Sequence, residues 1–153
     1  MLEQEWQNIL ADNLDKLSQI ISPVKEKTVK LEEGENRIVS IFFLDLKGFT
    51  KMSEKLHPEK VKRIIDKIFK VFTNVILKYG GYIDKYEGDL IMALFGSKQT
   101  SETDTERAIR SGLEILNKLK QINEMLKYRN FELGVRIGIN TGLVTTGKIG
   151  LGR

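Results

Sequence analysis

The chain has no cysteine among its 153 residues. That rules out a disulfide framework and a thiolate metal site. With His57 as its single histidine, a zinc site is poorly supplied as well. Any metal must therefore be held by oxygen donors, which suits Mg²⁺ or Mn²⁺. No apolar run approaches the roughly 20 residues that a membrane-spanning helix needs. The opening Met1-Leu2-Glu3-Gln4-Glu5 is acidic, unlike a signal peptide, so a cytoplasmic protein is expected. Neither sign of charge dominates: 25 Lys and Arg stand against 21 Asp and Glu, a net charge of +4. The basic residues are interspersed with acids and lack an aromatic platform, so nucleic-acid binding is not expected. Lysines of this kind form solvated helix faces, and they also favour an anionic substrate.

What remains is ordinary globular composition, 41% hydrophobic and 30% charged, long enough for one domain with a real core. Its organising stretch is Ile38 to Leu44, apolar almost throughout and rich in β-branched and aromatic residues, which predicts a strand buried on both faces. Asp45 ends it, with Gly48 and Thr50 opening a short helix to Lys55. Upstream, Trp6, Ile9, Leu10, Leu14, Leu17, Ile20 and Ile21 recur at helical spacing and predict an amphipathic helix within residues 1–22. Residues 23–36 read as a charged linker, leaving 37–153 as the main domain.

Further along, Pro58 suits a first helical turn, and Val61, Ile64, Ile65, Ile68, Phe69, Phe72, Val75, Ile76 and Tyr79 form one stripe closed by Gly80-Gly81. Tyr82–Tyr86 and Leu90–Phe95 predict two strands around a tight turn at Glu87-Gly88-Asp89. Thr103 with Glu106 suggests a capping box. It would open a helix carrying Ala108, Ile109, Leu113, Leu116, Leu119, Ile122 and Leu126 to about Asn130. Phe131 to Ile139 alternates as a strand, and Asn140-Thr141-Gly142 predicts a turn into a last strand from Leu143 to Ile149. This order predicts an α+β fold of ferredoxin-like type (βααββαβ), an antiparallel sheet with helices on one face. The chain stops in what reads as mid-hairpin, so the domain is expected to be incomplete at its C-terminus.

If the strands ending at Asp45 and beginning after Asp89 are antiparallel neighbours, both carboxylates reach one sheet edge. Two such charges ~4 Å apart repel by about 4 kcal/mol at an effective dielectric near 20. They must hold cations, share a proton or sit near a lysine. Singly, each Asp suits a cap or a turn. As a pair flanking two apolar strands they predict a two-metal site of the kind that stabilises an in-line displacement at phosphorus.

Three motifs now combine: Phe43-Leu44-Asp45-Leu46-Lys47-Gly48-Phe49-Thr50, Lys85-Tyr86-Glu87-Gly88-Asp89, and Arg136-Ile137-Gly138-Ile139-Asn140-Thr141-Gly142. Together they resemble the class III adenylate and guanylate cyclase catalytic domain, from about Glu33 to Arg153. The lead-in from Leu31 to Arg37 and the run from Gly80 to Leu116 look most like soluble cyclases whose cyclase module precedes an ATPase and helical-repeat region. The resemblance implies that Asp45, Asp89 and the carbonyl of Leu46 ligate two Mg²⁺ or Mn²⁺ ions. Backbone N–H groups of Gly48, Phe49 and Thr50 would receive the β- and γ-phosphates. Arg136 would pair with the polyphosphate, or is otherwise a solvated strand arginine.

Lys85 falls at the position that reads the base. Adenine N1 accepts a hydrogen bond, whereas guanine presents N–H donors that need a carboxylate, so Lys favours ATP. The alternative is a turn lysine whose charge Glu87 satisfies. The implied reaction converts ATP to cyclic AMP and pyrophosphate in signal transduction. In the family, a second base-reading residue and an Asn and Arg that steady the transition state lie beyond the hairpin, past Arg153, and act across a homodimer. The doubly apolar first strand fits a partner on the open sheet face. The fragment by itself is expected to turn over weakly or not at all. A non-catalytic cyclase-homology module and a guanylate cyclase remain as alternatives. A diguanylate cyclase is disfavoured, because Glu87-Gly88-Asp89-Leu90-Ile91 lacks its hairpin signature.

Overall fold

A computed structural model describes residues 36–145. The expected helix at 6–21, the linker up to 35 and the end of the last strand from 146 lie outside the described residues. Four antiparallel strands form one sheet in the order β2-β3-β1-β4, with β1 at Asn36–Lys47, β2 at Tyr82–Glu87, β3 at Leu90–Phe95 and β4 at Gly134–Thr145. Helices α1 (Thr50–Lys55), α2 (Pro58–Lys78) and α3 (Asp104–Leu126) connect them. This is the ferredoxin-like α+β arrangement that the element order predicts.

From Ser40 to Lys47 the side-chain period of two divides β1, whereas at its start Val39 is buried and Ile38 exposed. Ser40, Phe42, Leu44 and Leu46 face the helices and are buried, whereas Phe43 on the other face is 39% exposed. The expectation of burial on both faces is thus corrected: from Ser40 onward the buried side chains are those facing the helices, and Phe43 on the other face is exposed.

Helix α2 starts as its sequence dictates. Pro58 occupies the first turn, and the His57 ring accepts a hydrogen bond from the Glu59 backbone N–H at 3.3 Å. Val61, Ile64, Ile68, Phe72, Val75 and Ile76 bury one face. It ends in a Schellman motif: Gly80, at φ +81, donates to Leu77 O and Gly81 donates to Ile76 O, satisfying carbonyls the helix leaves free.

Helix α3 departs from expectation at both ends and along its stripe. Thr103 makes no side-chain cap, so there is no capping box. The Asp104 carboxylate takes its place, accepting from the Ser101 backbone N–H and from Arg107. Ala108, Ser111, Gly112, Ile115, Leu119, Ile122 and Leu126 are buried, whereas Ile109, Leu113 and Leu116 are exposed. Small residues bring α3 close to the sheet: a Cβ on Gly112 would meet Phe42 and Ile137 side chains at 3.6 Å. The contact therefore runs along the small residues rather than along the leucines. Beyond Leu126 comes a 3₁₀ turn at Lys127–Arg129, and then Asn130 in the left-handed region at φ 57.

Two further expectations change around β4. Phe131 and Leu133 are buried, but they precede the strand, which begins only at Gly134. Asn140-Thr141-Gly142 is no turn. These residues pair with Ile41, Ser40 and Val39, and the ladder runs unbroken from Lys47↔Gly134 to Asn36↔Thr145. A twelve-residue β1 gives β4 a partner along its whole length. The Thr141 hydroxyl is held at 2.8 Å from Ser40 Oγ, and both contact Thr105 Oγ1 at 3.0 Å.

Candidate functional site

The motif residues converge at the end of the β1–β3 ladder. Asp45 on β1 is opposite Leu90 on β3 and, on its other side, opposite Arg136 on β4. The Leu46 backbone N–H donates to the Asp89 carbonyl at 3.0 Å, so the Gly88-Asp89 turn is stitched to the residue following Asp45. Gly88, at φ 60, supplies the backbone conformation that this two-residue hairpin turn requires. The two acids, distant in sequence, are near neighbours on one sheet rim.

Directly opposed residues in an antiparallel ladder share a face. Glu87, Leu90, Asp45 and Arg136 form one row across the sheet, and Lys85, Met92, Phe43 and Gly138 form the next. A register shift between Ile83 and Lys85 sets the alignment of the second row. Asp45, Arg136 and Lys85 thus all lie on the open face, away from the helices. Gly138 leaves space there, since a Cβ at that position would meet nothing within 4 Å.

The Asp45 side chain is 34% exposed, and Lys47 Nζ stands 3.8 Å from its Oδ2. A lysine therefore stands beside the Asp45 carboxylate, one of the three ways to relieve such charge. Lys47 was not singled out by sequence reasoning. Its position two residues from Asp45 on a strand was the available signal, because i and i+2 share a face.

After Lys47 the backbone turns sharply. Gly48 has φ +86, and a Cβ there would lie 2.6 Å from the Glu132 carbonyl oxygen, so both conformation and space require glycine. Helix α1 then opens at Thr50 with no side-chain cap and no acid in its first turn. A cleft of about 510 Å³ flanks this turn, lined by Lys47, Gly48, Thr50, Lys51, Glu132 and Gly134 among others.

A family profile described as "Adenylate and Guanylate cyclase catalytic domain" matches residues 31–153. The chain belongs to the class III nucleotide cyclase family. Among proteins similar to this cyclase domain is an adenylate cyclase of Anabaena cylindrica, 29% identical over 141 residues, 89% of this chain and 27% of that protein. Another is the receptor-type guanylate cyclase gcy-23 of Caenorhabditis elegans, 30% identical over 99% of this chain and 14% of that protein. The chain therefore spans about a quarter or less of these curated relatives. Among solved structures, the adenylyl cyclase CyaB from P. aeruginosa superposes with a TM-score of 0.70 at 32% identity, covering 77% of this chain and 62% of that one. The guanylyl cyclase Cya2 does so with a TM-score of 0.69 at 36% identity, covering 79% and 62%. Both nucleotide types thus occur among relatives of the cyclase domain. No helix among its described residues is long and apolar enough to cross a membrane.

The donors expected from the sequence would suit hard divalent ions. Asp45, Asp89 and the Leu46 carbonyl supply only oxygen. No group of three or more His, Cys, Asp or Glu that could hold a metal occurs among the described residues. Ions held by one or two carboxylates complete their shells with water and substrate phosphate, as Mg²⁺ does.

Proposed function

We propose that this domain converts ATP to cyclic AMP and pyrophosphate, with Mg²⁺ or Mn²⁺ bound at Asp45, Asp89 and the Leu46 carbonyl. The observation that carries the reading is the ladder register: Lys85 shares the open face with Asp45, one row along the sheet. When bound, the ions would lower the barrier to removing the ribose 3′-hydroxyl proton and neutralise charge on the phosphates. The chain's own residues bind and orient. The exposed Lys85 ammonium donates to adenine N1, which guanine cannot accept. Arg136, opposite Asp45, offers a permanent positive charge to the polyphosphate. Gly48, Phe49 and Thr50 present backbone N–H groups to the terminal phosphates from the turn where α1 begins.

The 3′-oxygen attacks the α-phosphorus and a new P–O bond forms. The bond to the bridging oxygen breaks, and pyrophosphate leaves with its electron pair while the hydroxyl proton goes to solvent. No protein nucleophile is required, in keeping with a chain without cysteine. The open face, with Phe43 39% exposed, fits a second copy, which makes a homodimer the expected working form.

A second reading, GTP as substrate, draws support from the guanylyl cyclases among the relatives. Turnover of MnATP and MnGTP by the full-length protein, alongside Asp45→Ala, tests both. Cyclic AMP as main product, lost in Asp45→Ala, supports the proposal. Cyclic GMP as main product overturns the Lys85 argument. Activity that survives Asp45→Ala overturns the metal site, and no product from either nucleotide favours a non-catalytic homology module.

A further inference from the structure

The Asn123 side chain, near the end of α3, makes two hydrogen bonds to one residue. Its Nδ2 donates to the Leu133 carbonyl, and its Oδ1 accepts from the Leu133 backbone N–H, both at 2.8 Å. The side-chain amide replaces a strand here, giving Leu133 the donor and acceptor that a ladder partner would provide. Neutral amides do this because they offer both functions in one plane.

The clamped segment is pinned again one residue on, where Gly134 pairs with Lys47. Immediately before these two anchors the Glu132 carbonyl faces the Gly48 turn, leaving no room for a Cβ at Gly48. Leu133 is 2% exposed and Phe131 5% exposed, so the segment cannot relax outward without uncovering apolar surface. Lys55, the last residue of α1, also lies 5.9 Å above the Phe131 ring. The turn before α1 and the last residue of α1 thus both face residues 131–133.

We propose that Asn123 is a positioning residue for the Gly48–Thr50 turn, acting through Leu133 and the Glu132 carbonyl. This rests on the reading of that turn as the phosphate-binding element, and it assigns the turn's shape to a helix that never touches substrate. Asn123→Asp retains the acceptor, loses the donor and sets a carboxylate against the Leu133 carbonyl. Asn123→Leu leaves both Leu133 groups unpaired.

The test uses the full chain with two readouts. The first is ¹H–¹⁵N NMR without nucleotide. In Asn123→Asp the amide signals of Gly48, Phe49 and Thr50 should shift and their heteronuclear NOE values fall, while signals from β3 and the middle of α2 stay in place. The second is affinity for a non-hydrolysable MnATP analogue, which in Asn123→Asp should weaken about three- to tenfold as the Nδ2 hydrogen bond is lost and a carboxylate meets the Leu133 carbonyl. In Gly48→Ala, where the turn is already pushed off Glu132, adding Asn123→Asp should cost less than it does alone.

Shifts confined to residues 130–134, with Gly48–Thr50 unmoved, would overturn the proposal. So would general loosening that includes β3 and α2, since that is a stability role. Should Asn123→Leu not fold, Asn123→Asp carries both arms. If the turn responds as expected but the wild-type chain binds neither MnATP nor MnGTP, the positioning stands and the phosphate-binding reading fails.

Discussion

The Leu46 backbone N–H bonds to the Asp89 carbonyl at 3.0 Å, and together with the Asp45↔Leu90 pairing this holds the β2–β3 turn against the end of β1. It fixes the separation of the two acids by backbone rather than by side-chain choice. Asp45→Asn should therefore leave the fold intact while removing charge from the donor set. Isothermal titration with Mn²⁺ should show binding weakened roughly 100-fold or more, with a melting temperature at or above that of wild type. Unchanged Mn²⁺ affinity would move the metal site elsewhere.

Lys47 stands 3.8 Å from the Asp45 carboxylate, so an incoming divalent ion meets a resident cation. Lys47→Met should tighten Mn²⁺ binding in the absence of nucleotide about three- to tenfold at low salt, and the gain should shrink as ionic strength rises. Electron paramagnetic resonance of free Mn²⁺ reads this directly. Weaker binding would instead make Lys47 a support for the site.

Base choice is assigned to Lys85, exposed on edge strand β2 and aligned with Met92 and Phe43. Lys85→Glu exchanges a donor for an acceptor and should reverse preference toward GTP. Each mismatched buried hydrogen bond costs about 1–3 kcal/mol, so the ATP-to-GTP ratio of kcat/KM should move by tenfold or more. A ratio that does not move would return Lys85 to the role of a turn lysine.

Away from the site, Lys78 at the end of α2 bonds both carboxylate oxygens of Glu114 on α3, at 2.8 and 3.0 Å. Burial pushes the Glu114 carboxyl up, but hydrogen bonds from Lys78 and Tyr79 together with the Lys78 charge outweigh it and hold the group below its ordinary 4.5. A carboxylate held low contributes stability that is present above its unfolded pKa and lost as pH falls through the folded one. Wild type should exceed Glu114→Gln by about 0.5–1 kcal/mol near neutrality, a small value because Lys78 is half in water. The difference should vanish as the pH drops below 4.5. Urea unfolding across that range measures it, and a pH-independent difference would assign the contact to packing.

The sequence by itself determined the order of elements and the layer architecture, and it named the antiparallel pairing on which the meeting of Asp45 with Asp89 depends. Each of these follows from short-range pattern: a period of two along Ile38–Leu44, a period near 3.6 from Val61 to Ile76, and glycines where the chain reverses. Tertiary structure decided the rest. Asn140-Thr141-Gly142 has the composition of a turn, yet it stays extended because β1 offers pairing along its full length. Leu113 and Leu116 read as core, yet they remain exposed because Ala108, Ser111 and Gly112 let α3 approach along another line. Phe131 and Leu133 alternate like a strand, yet an amide from α3 partners Leu133 and the Phe131 N–H donates to the Leu126 carbonyl. In each case the outcome depends on what packs against or pairs with the segment, and a local pattern records what a residue prefers but not which atom satisfies it.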